Sequence, residues 1–225
     1  MELNPPAAPL VVRAAPDVAT VLELYEVPGA QQAAYATRMA DATRERWARR
    51  PGFVGAAVLA STDGVRVAVY AQWRAPSPPA DASLAPAFPE LLPPDAHVYD
   101  VAFSVVAPGT PAPVRIAADG PPVYHVAEFR MPPENQPRML ALAEPEAHTA
   151  TQTPGLVSAT FHRSRDGARV VNLGQWRDEQ AIQALMRRPG FSTSDGTGYW
   201  SGLAENAFHL YRLAAVLGPD VAAGS

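Results

Sequence analysis

The sequence contains no cysteine and no lysine, and each absence removes a class of chemistry. Without cysteine the chain has no disulfide, no thiolate nucleophile and no cysteine-ligated zinc or iron–sulfur site. All 18 basic residues are arginine, so there is no lysine amine to form a Schiff base with a carbonyl substrate or with pyridoxal phosphate. Catalysis would therefore depend on histidine, carboxylate, hydroxyl, amide and aromatic side chains, or on a bound cofactor.

Charge and hydropathy also argue against two kinds of partner. The formal net charge is −4 and there is no basic tract, which is untypical of proteins that bind nucleic acid or anionic membranes. No apolar run approaches the ~20 residues needed to cross a bilayer. The first residues lack a basic segment followed by an apolar core, so no signal peptide is predicted. We therefore expect a cytoplasmic protein without nucleic-acid or membrane partners.

The sequence does contain an internal repeat. Residues 51–74, PGFVGAAVLASTDGVRVAVYAQWR, align without gaps with residues 154–177, PGLVSATFHRSRDGARVVNLGQWR. Both segments open with Pro-Gly, turn at Asp-Gly and end in Gln-Trp-Arg. Because such self-similarity is the signature of a duplicated structural unit, it predicts two copies of one fold.

The repeat sets the predicted domain boundaries. An extended segment precedes each matched stretch and a closing strand follows it, which places the first repeat at 18–108 and the second at 121–217. Residues 109–120 are rich in Pro and Gly, as linkers are. We expect a flexible N-terminal tail over residues 1–17 and a C-terminal tail over residues 218–225.

Each repeat is predicted to run strand, helix, two hairpin strands, helix or loop, and strand. In the first repeat, Pro51-Gly52 should end the helix. In the second repeat, Pro145 should kink or break the first helix near its middle, and Asp178 should cap the second helix. Seven prolines between residues 75 and 96 predict an irregular loop in place of that second helix in the first repeat.

This βαββαβ order is typical of the ferredoxin-like fold, in which an antiparallel sheet carries helices on one face, and it places the protein in the α+β class. The uncovered face of each sheet must also be buried. Two repeats in one chain can bury these faces against each other. We therefore predict two ferredoxin-like repeats packed sheet to sheet within one chain, as a monomeric pseudo-dimer or a homodimer of it.

The second hairpin carries polar residues where a strand facing a core is normally apolar. If residues 165–167 form a three-residue turn, His162 lies opposite Val170 and shares one sheet face with Asn172 and Trp176. A two-residue turn would instead put His162 on the other face. The three-residue turn thus predicts a cluster of a histidine, an amide and an indole.

The first repeat is an internal comparison for this cluster. Its residues at the same three positions are Leu59, Val69 and Trp73. Burying a histidine or an asparagine without a partner costs about 1–3 kcal/mol, so His162 and Asn172 need a partner that is either structural or a ligand. We expect one active pocket per chain, between the sheet and the helices of the second repeat, with the first repeat serving as a scaffold.

The pattern H-R-S-x-D-G-x-R-V-V-N-x-x-Q-W in the second repeat resembles the antibiotic biosynthesis monooxygenase family of dimeric α+β barrels. It is most similar to the anthrone oxygenases of aromatic polyketide pathways. The histidine, asparagine and tryptophan of the pattern are His162, Asn172 and Trp176. The resemblance in fold covers both repeats, whereas the motif is confined to the second.

The resemblance implies a cofactor-independent monooxygenase that uses O2 to oxidise a polycyclic aromatic polyketide, of anthrone or naphthacenone type, to a quinone. Such enzymes use no metal, flavin or haem. The acidic phenolic substrate supplies a carbanion that passes an electron to oxygen, and the resulting peroxide collapses to the quinone. On the matching positions, Asn172 and Trp176 would hold substrate oxygens or the peroxide, and His162 would assist proton transfer.

This sequence departs from the family pattern beyond Trp176. The tyrosine and the arginine associated with the family site have no aligned counterpart, and the position six residues after Trp176 is Ile182. The candidate substrate-binding residues are therefore Tyr199, Trp200 and Met186, with Arg187 or Arg188 as alternatives to the missing arginine.

Two further groups of residues could be metal ligands. His125 and Glu128 are three residues apart on a predicted strand, so their side chains should point to opposite faces and cannot share a metal. Glu144, Glu146 and His148 suit a solvated helix surface, and no metal or cofactor is predicted. The alternative functions are an aromatic polyketide cyclase and a non-catalytic module that binds or stabilises a ligand. Oxygen consumption with an anthrone separates the oxygenase from both.

Overall fold

The structure is a computed structural model that describes residues 8–74, 78–79, 81–188 and 198–220. The outer parts of the two predicted tails, residues 1–7 and 221–225, lie outside these ranges. In the described ranges the chain forms ten strands and three α-helices. In chain order these are β1 (Leu10–Val11), β2 (Val18–Glu26), α1 (Gln32–Trp47), β3 (Phe53–Ser61), β4 (Arg66–Arg74), β5 (Asp95–Val106), β6 (Arg115–Ile116), β7 (Val123–Arg130), α2 (Gln136–Ala150), β8 (Leu156–Ser164), β9 (Arg169–Trp176), α3 (Glu179–Met186) and β10 (Glu205–Leu217).

Contacts divide the chain into two compact units. Unit 1 comprises Met1–His97, Arg115–Gly120 and Leu213–Ser225, and unit 2 comprises Val98–Val114 and Pro121–Arg212. This division differs from the repeats of the sequence at the closing strands. Most of β5, the closing strand of the first repeat, belongs to unit 2, and the last residues of β10 belong to unit 1.

Unit 1 has an antiparallel sheet in the order β3-β4-β2. Helix α1 buries Tyr35, Met39 and Trp47 against one face of it, and Trp47 meets Trp73 of β4 edge to face at a centroid distance of 5.6 Å. The helix ends before Pro51-Gly52, as predicted. Gly52 has φ +84°, and a Cβ there would lie 2.9 Å from the carbonyl oxygen of Arg74, so only glycine suits this turn.

A loop after β4 completes the core of unit 1. Its described residues contain no α-helix, only a short 3₁₀ turn over Ala85–Ala87, which confirms the irregular loop predicted from the prolines. Leu84 and Phe88 from this loop are buried in the core. Glu23, which is fully buried on β2, accepts hydrogen bonds from the backbone N–H of Leu84 at 3.0 Å and from the Ser83 hydroxyl. These hydrogen bonds hold the loop against the sheet.

Unit 2 has an antiparallel sheet in the order β5-β8-β9-β7-β10. Helices α2 and α3 cover one face, with Met139, Ala143 and Ala147 of α2 and Ile182 and Leu185 of α3 turned toward the strands. The predicted order of strand, helix, hairpin, helix and strand is therefore present in the second repeat. The α+β class and the two ferredoxin-like repeats are confirmed.

The two predictions for the helices of unit 2 have different outcomes. Pro145 was expected to kink or break the first of them, and it does not break it, since α2 runs without interruption from Gln136 to Ala150. Pro145 lies on the exposed side of α2, where water can satisfy the backbone carbonyl that has lost its N–H partner. Asp178 does cap α3, because its carboxylate accepts a hydrogen bond from the backbone N–H of Ala181 at 2.8 Å.

The predicted tail and linker contain an ordered pair of short strands. Strand β1 pairs with β6, with Leu10 opposite Ile116, and both of these residues are buried. The backbone N–H of Arg13 also donates to the Gln72 side chain at 3.0 Å. The expectation of a flexible tail over residues 1–17 is wrong for Leu10 and Val11, and the linker contributes β6, because apolar side chains in both segments are buried in unit 1. Among the described residues, no helix is long and apolar enough to cross a membrane.

Candidate active site

The turn of the second hairpin is one residue longer than the sequence suggested. Arg163 pairs with Val170, and four residues, 165–168, separate β8 from β9. Asp166 holds this turn, because its carboxylate accepts hydrogen bonds from the Ser164 hydroxyl at 2.6 Å and from the backbone N–H of Ala168 at 2.9 Å. A turn length that differs by one residue moves a strand residue to the other face of the sheet.

His162 therefore does not join Asn172 and Trp176. It lies opposite Val171 on the sheet face that points away from α2 and α3, and its Nδ1 is 3.4 Å from the carbonyl oxygen of Val171. Burial lowers the pKa of His162 to about 4. The predicted shared face is wrong, and the role in proton transfer inferred from it loses its geometric basis.

A different histidine lies beside Trp176. The indole Nε1–H of Trp176 donates a hydrogen bond of 2.7 Å to Nδ1 of His125 on β7. His125 lies directly opposite Gly174 of β9, and a Cβ at Gly174 would be 2.9 Å from Nε2 and closer still to two other imidazole atoms. The glycine thus leaves the space that the imidazole occupies.

The hydrogen bond determines which nitrogen of His125 carries the proton. An indole N–H can only donate, so Nδ1 must accept and the ring proton must lie on Nε2. Burial lowers the pKa of His125 to about 3, which keeps the ring neutral at neutral pH. His125 can therefore offer one N–H to a bound molecule.

Asn172 adds an acceptor on the same face. Its strand neighbours are Ala127 of β7 and Phe161 of β8, and both are apolar. The Oδ1 atom of Asn172 is buried and has no hydrogen-bond partner in the structure. A buried amide oxygen without a hydrogen-bond partner costs about 1–3 kcal/mol.

These residues line a pocket that lies entirely within unit 2. The pocket lies between the helices and the sheet face that carries His125 and Asn172. Its walls are mostly alanine, leucine, isoleucine and aromatic side chains. The three predicted substrate contacts all lie in the wall: Met186, Tyr199 and Trp200. Five of the six predicted site residues are therefore brought together, and His162 is not.

Tyr199 is the other titratable residue in the pocket wall. Burial, together with the nearby Glu146 carboxylate, raises the pKa of its phenol well above the usual value, so it stays protonated. Its ring meets that of Trp200 edge to face at 4.9 Å, and Trp200 lies 5.4 Å from Phe129. Among the described residues, the pocket thus has an aromatic end and carries no charged group at neutral pH.

The corresponding sheet face of unit 1 carries apolar side chains. Ala71 is the counterpart of Gly174 in the first repeat, and Val21 lies opposite it. Val21 therefore takes the position that His125 has in the second repeat. Leu84 and Phe88 pack against this face together with Val69. Among the residues that the structure describes, the first repeat therefore has neither the histidine nor the amide at these positions, and apolar side chains pack against this face.

Sequence reasoning weighed His125 only as a metal ligand. Its expected orientation away from Glu128 is confirmed, because His125 pairs with Gly174 and Glu128 pairs with Val171 on the opposite face. One difference between the repeats could have identified His125. The second repeat pairs His125 with Gly174, whereas the first repeat pairs Val21 with Ala71 at the same positions. A large polar residue opposite a glycine indicates that its side chain lies across the neighbouring strand.

Comparisons with known proteins find a family match in the second repeat. Residues 122–194 match the sequence profile of the antibiotic biosynthesis monooxygenase (ABM) family. Over 36 residues the chain is 58% identical to the tetracenomycin-F1 monooxygenase of Streptomyces glaucescens, a match that covers 16% of this chain and 32% of that enzyme, about a third of its length. The resemblance to the family is thus confirmed for the second repeat.

Two solved structures share the fold over most of the chain. The crystal structure of an anthrone oxidase-like protein superposes with a TM-score of 0.75 and 16% identity, covering 95% of this chain and 99% of that chain. A monooxygenase-like protein from Listeria innocua superposes with a TM-score of 0.52 and 11% identity, covering 86% and 93% of the two chains. At these identities the likeness extends to the fold alone.

Proposed function

We propose that the second repeat, which carries an ABM domain, oxidises a polycyclic aromatic polyketide of anthrone or naphthacenone type to a quinone with O2 and without metal, flavin or haem. One observation carries this proposal: the second repeat contains an apolar, aromatic-walled pocket lined by His125, whose Nδ1 accepts from Trp176, and by Asn172, whose Oδ1 has no hydrogen-bond partner. Such a pocket suits a flat aromatic molecule with few polar atoms.

The reaction can proceed on the chemistry of the substrate. A methylene flanked by phenolic rings loses a proton to water to give a delocalised carbanion, which transfers an electron to O2. Recombination forms a C–O bond, the peroxide anion takes a proton back from water, and loss of water from the resulting hydroperoxide leaves a carbonyl. One oxygen atom of O2 enters the quinone and the other leaves as water.

The pocket residues would orient this substrate. The Nε2–H of His125 would donate to its keto oxygen, and the side-chain amide of Asn172 would hydrogen-bond to a phenolic oxygen. Negative charge grows on the keto oxygen as the carbanion forms, so a fixed donor there lowers the barrier. These roles replace the one that the sequence assigned to His162.

The test is oxygen consumption with an anthrone under air and under nitrogen, with metal and flavin analysis of the same purified protein. Quinone formation that requires oxygen and proceeds in metal-free, flavin-free protein supports the proposal. Binding of the anthrone without oxygen uptake would instead favour the non-catalytic module. Ring closure of a less cyclised polyketide under nitrogen would favour the cyclase.

A further inference from the structure

We propose that Trp176 is a positioning residue: its indole N–H holds His125 in the tautomer with the proton on Nε2, so that the imidazole acts as a hydrogen-bond donor in the pocket. The effect of this role on turnover rests on the proposed function, whereas the tautomer of His125 can be observed without any substrate. It assigns Trp176 a role through His125 instead of the direct contact with substrate that the family resemblance implied.

The indole N–H of Trp176 is already committed within the protein. Trp176 is fully buried, and the 2.7 Å bond directs its N–H at Nδ1 of His125. Direct recognition of a substrate oxygen would require the indole to give up this bond and leave a buried imidazole nitrogen unpaired.

The imidazole is also held in place on its other sides. Gly174 admits the ring across the strand, and the Phe208 ring lies 5.4 Å from it. Burial alone would keep His125 neutral, but it would not choose between the two neutral tautomers. The choice is made by the nitrogen that accepts the bond from Trp176.

The first repeat shows that the packing of this tryptophan and its hydrogen bond are separable. Trp73 is the counterpart of Trp176 and is also fully buried, packed against Trp47 and Phe53. Its Nε1 has no hydrogen-bond partner, since Val21 stands in the place of the histidine. The indole is thus accommodated in unit 1 by packing, whereas in unit 2 its N–H has an acceptor that borders the pocket.

The experiment uses the full chain labelled with ¹⁵N at histidine. Two-bond ¹H–¹⁵N spectra report which nitrogen of each imidazole is protonated, and the signals of His125 are identified by their loss in His125→Leu. In the wild type we expect a single tautomer, protonated at Nε2, at pH 7. Trp176→Phe keeps a buried aromatic ring but removes the N–H, and should move both nitrogen shifts of His125 toward the values of a tautomer mixture.

Turnover provides the second readout. We expect Trp176→Phe to lower kcat about tenfold or more with KM changed less than about threefold, because the donor is required most as charge develops. Trp73→Phe is the matched control, and it should leave both the His125 spectrum and kcat unchanged. In a His125→Leu background, Trp176→Phe should cause no further loss of kcat, since there is no imidazole to orient.

Each outcome decides the proposal. A wild-type His125 protonated at Nδ1, a tautomer unaffected by Trp176→Phe, or losses that multiply in the double variant would overturn it. If Trp176→Phe fails to fold, the wild-type spectrum and the His125→Leu variant still decide whether His125 is a fixed donor. A fixed tautomer in a wild type that consumes no oxygen would support the positioning role and would refute only the proposed oxygenase function.

Discussion

Gly174 lies directly opposite His125 in the sheet, and the imidazole ring of His125 occupies the space that a side chain at position 174 would need. This pairing makes a sharp prediction for Gly174→Ala. The added methyl group must displace the imidazole and break its bond to Trp176. We expect turnover to fall on the order of tenfold or more, and the free energy of unfolding to fall by about 1–3 kcal/mol from overpacking.

The first repeat supplies the control for this variant. The double variant His125→Val with Gly174→Ala recreates the pair Val21/Ala71, so it should recover the lost stability while remaining inactive. Urea unfolding and steady-state oxygen uptake measure the two effects. Full activity in Gly174→Ala would mean that the position of His125 is unimportant.

Asn172→Val should separate activity from stability. Valine is the residue of the first repeat at this position, and it removes a buried amide oxygen that has no partner. We expect kcat/KM to fall about 10²-fold while the free energy of unfolding stays the same or rises. A large loss of stability would show instead that the amide has a structural role. Val69→Ala in unit 1 is the packing control and should cost about 1–3 kcal/mol with turnover preserved.

His162→Leu should leave turnover intact. The side chain is on the sheet face away from the pocket, and leucine is its counterpart in the first repeat. We expect kcat/KM to stay within about twofold of wild type, because a substitution on the opposite sheet face leaves the pocket residues in place. A loss comparable to that of Asn172→Val would contradict the strand register described above.

Both buried histidines should make the protein less stable as the pH falls below about 6.5. Burial lowers the pKa of His125 to about 3 and that of His162 to about 4, whereas both titrate near 6.5 in the unfolded chain. Between these values the unfolded chain binds protons that the folded chain does not. The free energy of unfolding should therefore decrease with falling pH, by on the order of 1 kcal/mol per pH unit for each histidine, and neither should contribute above about pH 7.

Urea unfolding between pH 8 and pH 4.5 measures this dependence. His162→Leu should remove roughly half of the histidine contribution to the slope, since one of the two buried imidazoles is gone. An unchanged slope in that variant would show that the pKa of His162 is the same in the folded protein as in the unfolded chain.

Leu84→Ala should affect stability alone. Leu84 is fully buried in the core of unit 1, where its removal leaves a cavity, so we expect a loss of about 2–5 kcal/mol. Oxygen uptake below the unfolding transition should be that of wild type. Leu185→Ala in the pocket wall is the contrasting variant: it enlarges a space that already exists, so it should cost less stability and change KM.

The sequence predicted the repeats, the helix ends, the prolyl loop and the location of the pocket, because these follow from patterns many residues long. Asn172 and Trp176 were found since they share a strand, where alternation is fixed. His162 was misplaced because its face depends on the length of the turn at Asp166. A single residue more in that turn reverses the face, and the alternation along either strand does not specify the length of the turn.

His125 was missed for a different reason. Its importance depends on which residue of another strand lies opposite it, and pairing between β7 and β9 joins segments that are distant in sequence. The loose tail was predicted from composition, which does not show that Leu10 and Ile116 meet. In both cases a contact between remote segments determined the outcome.

The filled core of unit 1 has a practical consequence for engineering this chain. In a protein with one copy of a fold, substitutions that improve packing compete with the empty volume that a ligand needs. Here a thermostable variant can be sought by improving the loop held by Glu23 and the core around Leu84 and Phe88. The residues that border the pocket need not be altered, so the search for stability and the search for new substrates can be run as separate libraries on one polypeptide.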